Sequence, residues 1–336
     1  MPVHVATDLS PAQSRAYRIA DNQTATIAEW DKELLPVELM ELEALNFDMK
    51  LLGFEDDELA LFMSGGVEGG LADPDDVPAL PEAAITQLGD LWIMGDHRLL
   101  CGDSTSAANV TTLMNAQTAR MIFTDPPWNV AIGLDANPRH RQRPGLLNDN
   151  LSPEQFEKFL AGFMTAVEPN LEGDLYCILG ASEWPTLDRT LRACGFHWSA
   201  TIIWVKDAFV LGRSKYHRRY EPMWYGWRQK AKSSFGDKRD LDDVWEIPRP
   251  KRSEEHPTMK PVELPLRAIQ NSSVARDIVL DPFGGSGSTL IAAEQTGRKA
   301  YLMELDPHYC DVIVQRWETF AGKKAQRTHG AGFLPT

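Results

Sequence analysis

From about residue 89 the chain alternates short apolar runs with amphipathic stretches, the pattern of a layered α/β domain with a largely parallel sheet. The strand candidates are 120–124 (RMIFT), 174–180 (DLYCILG), 200–205 (ATIIWV), 278–281 (IVLD) and 300–304 (AYLME). Two of these run into turns of unusual composition. Both turns then fall at the carboxyl edge of the sheet, where open α/β folds bind their ligands.

The first turn follows Ile278-Val279-Leu280-Asp281 and reads Pro282-Phe283-Gly284-Gly285-Ser286-Gly287-Ser288-Thr289, opening a helix that reaches about Gln295. Glycines at a strand-to-helix turn let the backbone approach a ligand, and the helix start presents free N–H groups. The strand at 300–304 ends in Glu304, about 20 residues further on, where a carboxylate can bind ribose hydroxyls. The GxGxxG run of nicotinamide dehydrogenases is absent, which points to an adenosyl ligand without a pyrophosphate. The second turn is Thr124-Asp125-Pro126-Pro127-Trp128-Asn129. Two prolines after an acid stiffen the chain and leave carbonyls without ladder partners. Asp125 and the Pro126 carbonyl can together accept both hydrogens of an amino group, while Trp128 stacks on the ring that carries it.

Charge distribution matters more than the net of −14. Residues 1–100 hold 5 Lys and Arg against 20 Asp and Glu, whereas the other 236 hold 29 against 28. Within 206–232 eight basic residues (Lys206, Arg213, Lys215, Arg218, Arg219, Arg228, Lys230, Lys232) face two acidic ones. A local basic surface interleaved with aromatics suits nucleic-acid contact. Trp204 and Trp224 are expected in the core of strands 200–205 and 221–227. Arg213, Lys215, Arg218 and Arg219 are expected on DNA phosphates.

No apolar run approaches the ~20 residues of a membrane span, and Met1-Pro2-Val3-His4 does not begin a secretory signal. The four cysteines (Cys101, Cys177, Cys194, Cys310) form no CxxC pair and the eight histidines show no ligand spacing. No metal is expected, and the cysteine usage fits a reducing cytoplasm. Ahead of the α/β part, residues 10–60 read as helical, with Ser10-Pro11 as N-cap and first position. Residues 64–80 (SGGVEGGLADPDDVPAL) have the composition of a linker. The expected organisation is a helical segment over 1–63, a linker over 64–88 and the α/β domain over 89–330.

Residues 89–320 resemble the β-class DNA amino-methyltransferases, in which the catalytic DPPY/W motif precedes the cofactor motif. Leu99-Leu100-Cys101-Gly102-Asp103 is similar to the leading LxxGD element, and Asp125-Pro126-Pro127-Trp128 to the catalytic motif, with Trp where Tyr is commoner. Asn148-Asp149, Trp204-Val205-Lys206 and Glu221-Pro222 resemble later blocks, and His256-Pro257-Thr258-Met259-Lys260-Pro261 the HPTxKP element that helps enclose the cofactor. The resemblance implies a Rossmann-like fold with circularly permuted motif order. It implies S-adenosylmethionine held by Asp103, Lys260, Asp281, Phe283, Gly284, Gly285, Gly287, Ser288, Thr289 and Glu304. It also implies methylation of N6 of a flipped-out adenine in DNA, since relatives acting on cytosine N4 more often carry Ser in place of Asp125. Cytosine N4 and a non-catalytic DNA-binding role stay as alternatives, and a homodimer stays open. Target recognition would fall in 229–255. Arg15-Ala16-Tyr17-Arg18-Ile19-Ala20-Asp21-Asn22 resembles the closing helices of a ParB-like domain. The nuclease-like core that would precede it is not in this sequence, so nuclease activity is not expected.

Overall fold

The computed structural model describes residues 9–24, 34–45, 47–54, 59, 62, 70–130, 148–210, 215–236, 241–250 and 259–328. Its centre is a sheet of ten strands: β1 (Leu91–Met94), β2 (His97–Cys101), β3 (Ala119–Thr124), β4 (Leu171–Ile178), β5 (Phe196–Val210), β6 (Arg218–Arg228), β7 (Val244–Glu246), β8 (Ile278–Asp281), β9 (Lys299–Glu304) and β10 (Gln326–Thr328). They lie in the order β10-β1-β2-β9-β8-β3-β4-β6-β5-β7. The five central strands, β2 to β4, are parallel to one another, and the strands expected at 120–124, 278–281 and 300–304 are all among them. The flanks are mainly antiparallel: β6 pairs with β4 and with β5 in that sense, and β1 with β2 and β10. Alternating signals at 200–205 and 221–227 therefore belong to one long hairpin, which needs no crossover helix.

Side-chain alternation explains the layers. Met121, Phe123, Val279 and Leu302 enter one buried cluster, while Ile122, Leu280 and Met303 enter the other. The first face is covered by α6 (Glu263–Ser272), α7 (Ser288–Gln295) and α8 (Pro307–Ala321). The second is covered by α3 (Ala107–Met114), α4 (Pro153–Val167) and α5 (Trp184–Ala193). Local signals set the helix starts: Ser152 and Gln155 form a reciprocal capping box ahead of Pro153, and Asp306 caps α8 before Pro307.

The order of connections places the site. From β8 the chain passes through α7 to β9 on one side, and from β3 through α4 to β4 on the other. The switch point lies between β8 and β3, so the loop after Asp281 and the turn after Thr124 are neighbours across it.

Before this domain, α1 (Pro11–Thr24) and α2 (Leu34–Ala44) are followed by a 3-10 turn at Met49–Leu52. Ser10 and Gln13 cap α1 reciprocally, as expected at Ser10-Pro11. Ile19, Leu39, Leu42 and Leu52 bury against one another in a cluster separate from the two sheet faces.

The stretch whose composition reads as a linker is, from residue 70 onward, bound along the α/β domain. Leu71 N–H donates to Phe320 O (2.8 Å), Arg316 Nη2 to Pro74 O (2.6 Å), and Val262 N–H to Asp75 Oδ1 (2.9 Å). Ile85 and Thr86 N–H donate to Asp311. Glycine and proline content reports backbone freedom in the unfolded chain. It is silent on whether a docking surface exists. Truncations separate the two readings. Removing 1–69 should leave the melting temperature within about 2 °C. Removing 1–80 should lower it by at least ~5 °C, since buried Arg316 and Val262 would be deprived of acceptors worth roughly 1–3 kcal/mol each. Equal melting curves would return this segment to a passive tether.

Candidate active site

Every sequence-predicted cofactor residue except Lys260 lies on one of the central parallel strands' carboxyl ends or in the loop and helix start that follow. Asp103 follows β2, and its Oδ1 accepts from Thr105 N–H and Oγ1 (both 2.8 Å). Gly102 N–H donates to Glu304 O (2.9 Å), joining the Asp103 turn to the end of β9. Glu304 Oε2 accepts from Gly285 N–H and Oε1 from Asp306 N–H, both at 2.9 Å. The Leu305 N–H bonds to the same carboxylate, so of its roughly four lone-pair sites about one is left for a ligand. Asp281 accepts from Phe283 N–H (3.1 Å) and from Thr289 Oγ1 (2.6 Å). Phe283 stands edge-on to Phe163, with ring centroids 5.0 Å apart.

The glycines serve different ends. Gly284 donates to Met303 O (2.7 Å), and a Cβ there would come within 3.1 Å of Ile313 and 3.3 Å of Met303 O. Close packing of loop on strand requires its hydrogen. Gly285 and Gly287 have φ of +53° and +85°, which favour glycine, and Gly287 leads into α7. A Cβ on Gly285 would meet only Phe283 O, at 3.9 Å, so it faces open space above the loop.

Burial pushes the Asp281 and Glu304 carboxyls up to about 7, overriding the hydrogen bonds that favour their ionised forms. Two buried carboxyls raised this far at one edge of the sheet mark a candidate functional site.

On the other side of the switch point, Asp125 Oδ1 accepts from Trp128 Nε1 (2.9 Å) and Oδ2 from Lys260 Nζ (2.5 Å). Lys260 Nζ also lies 4.6 Å from the Trp128 ring centroid. The indole packs over Gly180 at the end of β4, where a Cβ would come within 3.1 Å of it. Asn129, at φ +57°, holds the turn by accepting from Leu151 N–H (2.6 Å) and donating to Leu151 O (3.1 Å). Val130 N–H donates to Asp149 Oδ1 (3.1 Å), which ties the Asn148-Asp149 element to the same turn. Burial raises the Asp125 carboxyl above its ordinary value, although Lys260 pulls the other way. Burial by itself would lower the Lys260 ammonium; Asp125 and Glu221 hold it above its usual value.

Lys260 bridges the two halves. Its carbonyl accepts from Ser288 Oγ at the start of α7 (2.8 Å), while its ammonium reaches Asp125. The Lys260 backbone thus lies at the start of α7, and its charge faces the Asp125 turn. His256, Pro257 and Thr258 of the same element lie outside the described residues.

The basic segment divides. Arg213 lies outside the described residues, while Lys215, Arg218 and Arg219 are exposed near the tip of the β5–β6 hairpin. Among the described residues none of these three pairs with a carboxylate. Two others counted in the basic run are already paired. Lys206 is buried against Glu221, with 8% of its side chain exposed, and Arg228 is paired with Glu168. Charge counting could not separate them, because Lys206 and Glu221 face each other only once β5 and β6 pair, Val205 opposite Tyr220 and Trp204 opposite Glu221. Trp204 and Trp224 are in the core as expected, and Tyr216 and Tyr220 are exposed. Within 229–255, Ser233 and Ser234 bond to Asp174, and Trp245 and Ile247 are buried.

Sequence reasoning assigned no role to Glu221 or Arg316. Glu221 sits between Lys206 and Lys260, with its Oε2 3.9 Å from Lys260 Nζ. Arg316 donates to Ser286 O in the glycine loop (2.8 Å) as well as to Pro74 O. Among the described residues no group of three or more His, Cys, Asp or Glu side chains is placed to hold a metal ion, and no helix is long and apolar enough to cross a membrane.

Comparison with known proteins fits this geometry. Residues 33–88 match the model described as a ParB-methyltransferase HTH domain, so the match runs on from α2 through the docked 70–88 segment. DNA adenine methyltransferase YhdJ of Escherichia coli (strain K12) is 26% identical over 247 residues, 63% of this chain and 80% of that protein. Type II methyltransferase M.HpaI of Haemophilus parainfluenzae is 24% identical over 250 residues, 67% of this chain and 75% of that one. The solved PvuII DNA methyltransferase (cytosine-N4-specific) shares the fold, with a TM-score of 0.51 at 17% identity over 65% of this chain and 85% of that one. The DNA methylase family model matches residues 119–315, a span that holds the Asp125 turn, Lys260, the glycine loop and Glu304. With more than half of its length inside that match, this chain belongs to the DNA methylase family.

Proposed function

We propose that the protein methylates N6 of adenine in DNA, using S-adenosylmethionine held on the 281–289 loop. The carrying observation is the placement of the Asp125 turn beside that loop across the switch point, with Trp128 locked to the Asp125 carboxylate. The 26% identity to a protein named as a DNA adenine methyltransferase supports adenine.

The residues fit that cofactor. Glu304 has acceptor capacity left for ribose hydroxyls, the open face above Gly285 admits a ligand against the backbone, and two buried carboxyls favour a cationic one. Asp103, Phe283, Gly284, Gly287, Ser288 and Thr289 complete this half, by shape or by contact with those groups. When bound, S-adenosylmethionine supplies an electrophilic methyl group carried on a sulfonium.

On the other half, Asp125 and the Pro126 carbonyl accept the hydrogens of the amino group, which turns the nitrogen lone pair away from them. Pro127 stiffens the turn, and Trp128 supports the base ring. A carboxyl raised by burial is a stronger base, so Asp125 takes the proton that the amino group sheds and stabilises its transient positive charge. The base must leave the duplex to reach this turn, because in the stack its amino group is paired. Methyl transfer to plasmid or phage DNA, followed by digestion and nucleoside mass spectrometry, tests this reading. N6-methyladenine supports it, whereas N4-methylcytosine or no methylated nucleoside rejects it.

The raised carboxyls predict a pH dependence. With bound-state hydrogen bonds to its ionised form, each group has a lower pKa in the complex than the value of about 7 in the free protein. Binding then releases protons, and cofactor affinity should rise by at least ~10-fold between about pH 6 and pH 8. In the free protein the sign is opposite: a value above the unfolded one gives stability complete at low pH and lost as pH rises through 7. Calorimetry in buffers of different ionisation heat reads the proton release. A pH-independent affinity would remove both carboxyls from the site.

We assign DNA contact to Lys215, Arg218, Arg219 and Arg213. The start of β6 runs past the carboxyl end of β4, and Glu221, two residues after Arg219, reaches the Lys260–Asp125 pair. Replacing all four with Ala should weaken binding across sequences and lower the log–log salt slope by about 0.9 for each phosphate no longer neutralised. Cofactor affinity should not change. An unaltered slope with a lowered melting temperature would instead make these residues internal partners. Target recognition is proposed for the parts of 229–255 outside the Ser233–Phe235 and Val244–Ile247 packing.

A further inference from the structure

We propose that Lys260 is a resident stand-in for the target amino group, and that Glu221 receives its ammonium when the base enters. The inference rests on the reading of the Asp125 turn as the methylation site. As the structure stands, both oxygens of that carboxylate are engaged: Trp128 Nε1 donates to Asp125 Oδ1, and Lys260 Nζ to Oδ2 at 2.5 Å. The same ammonium sits 4.6 Å from the indole centroid. It holds the two places that a base would need, the acceptor for its amino hydrogens and the face for its ring.

A base that stacks on the indole and reaches Asp125 Oδ2 must displace this cation. Leaving a buried ammonium without a counter-charge is strongly unfavourable, so it needs a second acceptor close by. Glu221 provides one. Its side chain is 12% exposed, its Oε2 is buried and accepts no hydrogen bond, and that atom lies 3.9 Å from Lys260 Nζ. The other oxygen is fixed by Lys206, whose ammonium lies 5.1 Å from the Trp204 ring centroid. Glu221 is thus held rigid with its free oxygen turned to Lys260. An unsatisfied buried carboxylate oxygen is costly, and this one lies within reach of the Lys260 ammonium. The Lys260 carbonyl is anchored on Ser288 Oγ, so the flexible four-carbon stem can swing toward Glu221 without moving the backbone. Glu221 is then a positioning residue that acts through Lys260, and the pair makes base entry an exchange of one cation–carboxylate contact for another.

The test is a double-mutant cycle on methyl transfer to plasmid DNA, with wild type, Glu221→Gln, Lys260→Met and the double variant. Glu221→Gln keeps the shape and removes the receiving charge. It should raise KM for DNA by about 10-fold, change kcat less than ~3-fold and leave calorimetric cofactor affinity within about twofold. In the Lys260→Met background the same change should alter KM by less than about twofold, since no ammonium needs receiving. Additive effects, or a loss confined to kcat, would overturn the proposal and leave Glu221 as a static part of the Asp125 environment. A structure of the wild-type protein with DNA and an unreactive cofactor analogue reads the same point without a variant. Lys260 Nζ on Glu221 supports the exchange, and Nζ still on Asp125 beside a flipped base overturns it. Failure of the underlying reading is distinct, because wild type itself would then methylate no DNA.

Discussion

Asp125→Ala should abolish methyl transfer, with a loss of at least ~10³-fold in kcat, about 4 kcal/mol of transition-state stabilisation. The carboxylate is the group on the Asp125 turn that can both orient an amino group and take its proton. Cofactor affinity should stay within a few-fold, because Asp281, Glu304 and Gly285 sit across the switch point on other strands. Removing Asp125 also frees the Lys260 ammonium, which can move to Glu221 Oε2, 3.9 Å away. The variant should therefore fold. Asp125→Asn, which preserves shape and removes charge, should be impaired nearly as much. Turnover near that of wild type in either variant would place the chemistry elsewhere. Loss of cofactor binding along with turnover would make Asp125 structural.

Gly285→Val should weaken cofactor binding by at least ~100-fold. Two effects add, and they can be told apart. A β-branched residue at φ +53° is strained by roughly 1–2 kcal/mol, which disturbs the N–H that Glu304 Oε2 accepts. The added side chain also projects into space that the protein leaves open, with only Phe283 O within 4 Å. Because no protein atom stands in its way, the variant should fold with a melting temperature lowered by only a few degrees. Gly285→Ala carries much of the strain and little of the bulk, so its affinity should fall between. A folded Gly285→Val protein with wild-type affinity would show that no ligand lies against this loop.

Both expectations begin in residues that were readable in the chain before any fold was known. The Asp-Pro-Pro-Trp turn and the glycine run each follow an apolar strand, and strand-to-loop transitions are local events governed by φ preference and side-chain alternation. That is why β3, β8 and β9 match their predicted spans within a residue, and why Trp204 and Trp224 lie in the core where the strand pattern puts them. Long-range partners were not legible. Lys206 reads as one more cation in a basic run, yet the β5–β6 register sets it against Glu221 in the interior.

The 64–88 stretch shows the same division. Its composition predicts freedom, and α8 and Val262 supply the partners that hold Leu71, Pro74, Asp75 and Ile85 in place. Sequence alone determined the strands that carry the site, where ligand-ready turns occur and what chemistry those turns carry, because propensity, periodicity and side-chain type are local properties. The short strands β1, β2, β7 and β10 took their form from pairing. Tertiary structure decided which charges are paired inside the protein, which carboxyls are raised toward neutrality by burial, and that Lys260 lies between Asp125 and Glu221. Those outcomes depend on residues brought together from distant positions, and on the desolvation that only a closed interior imposes.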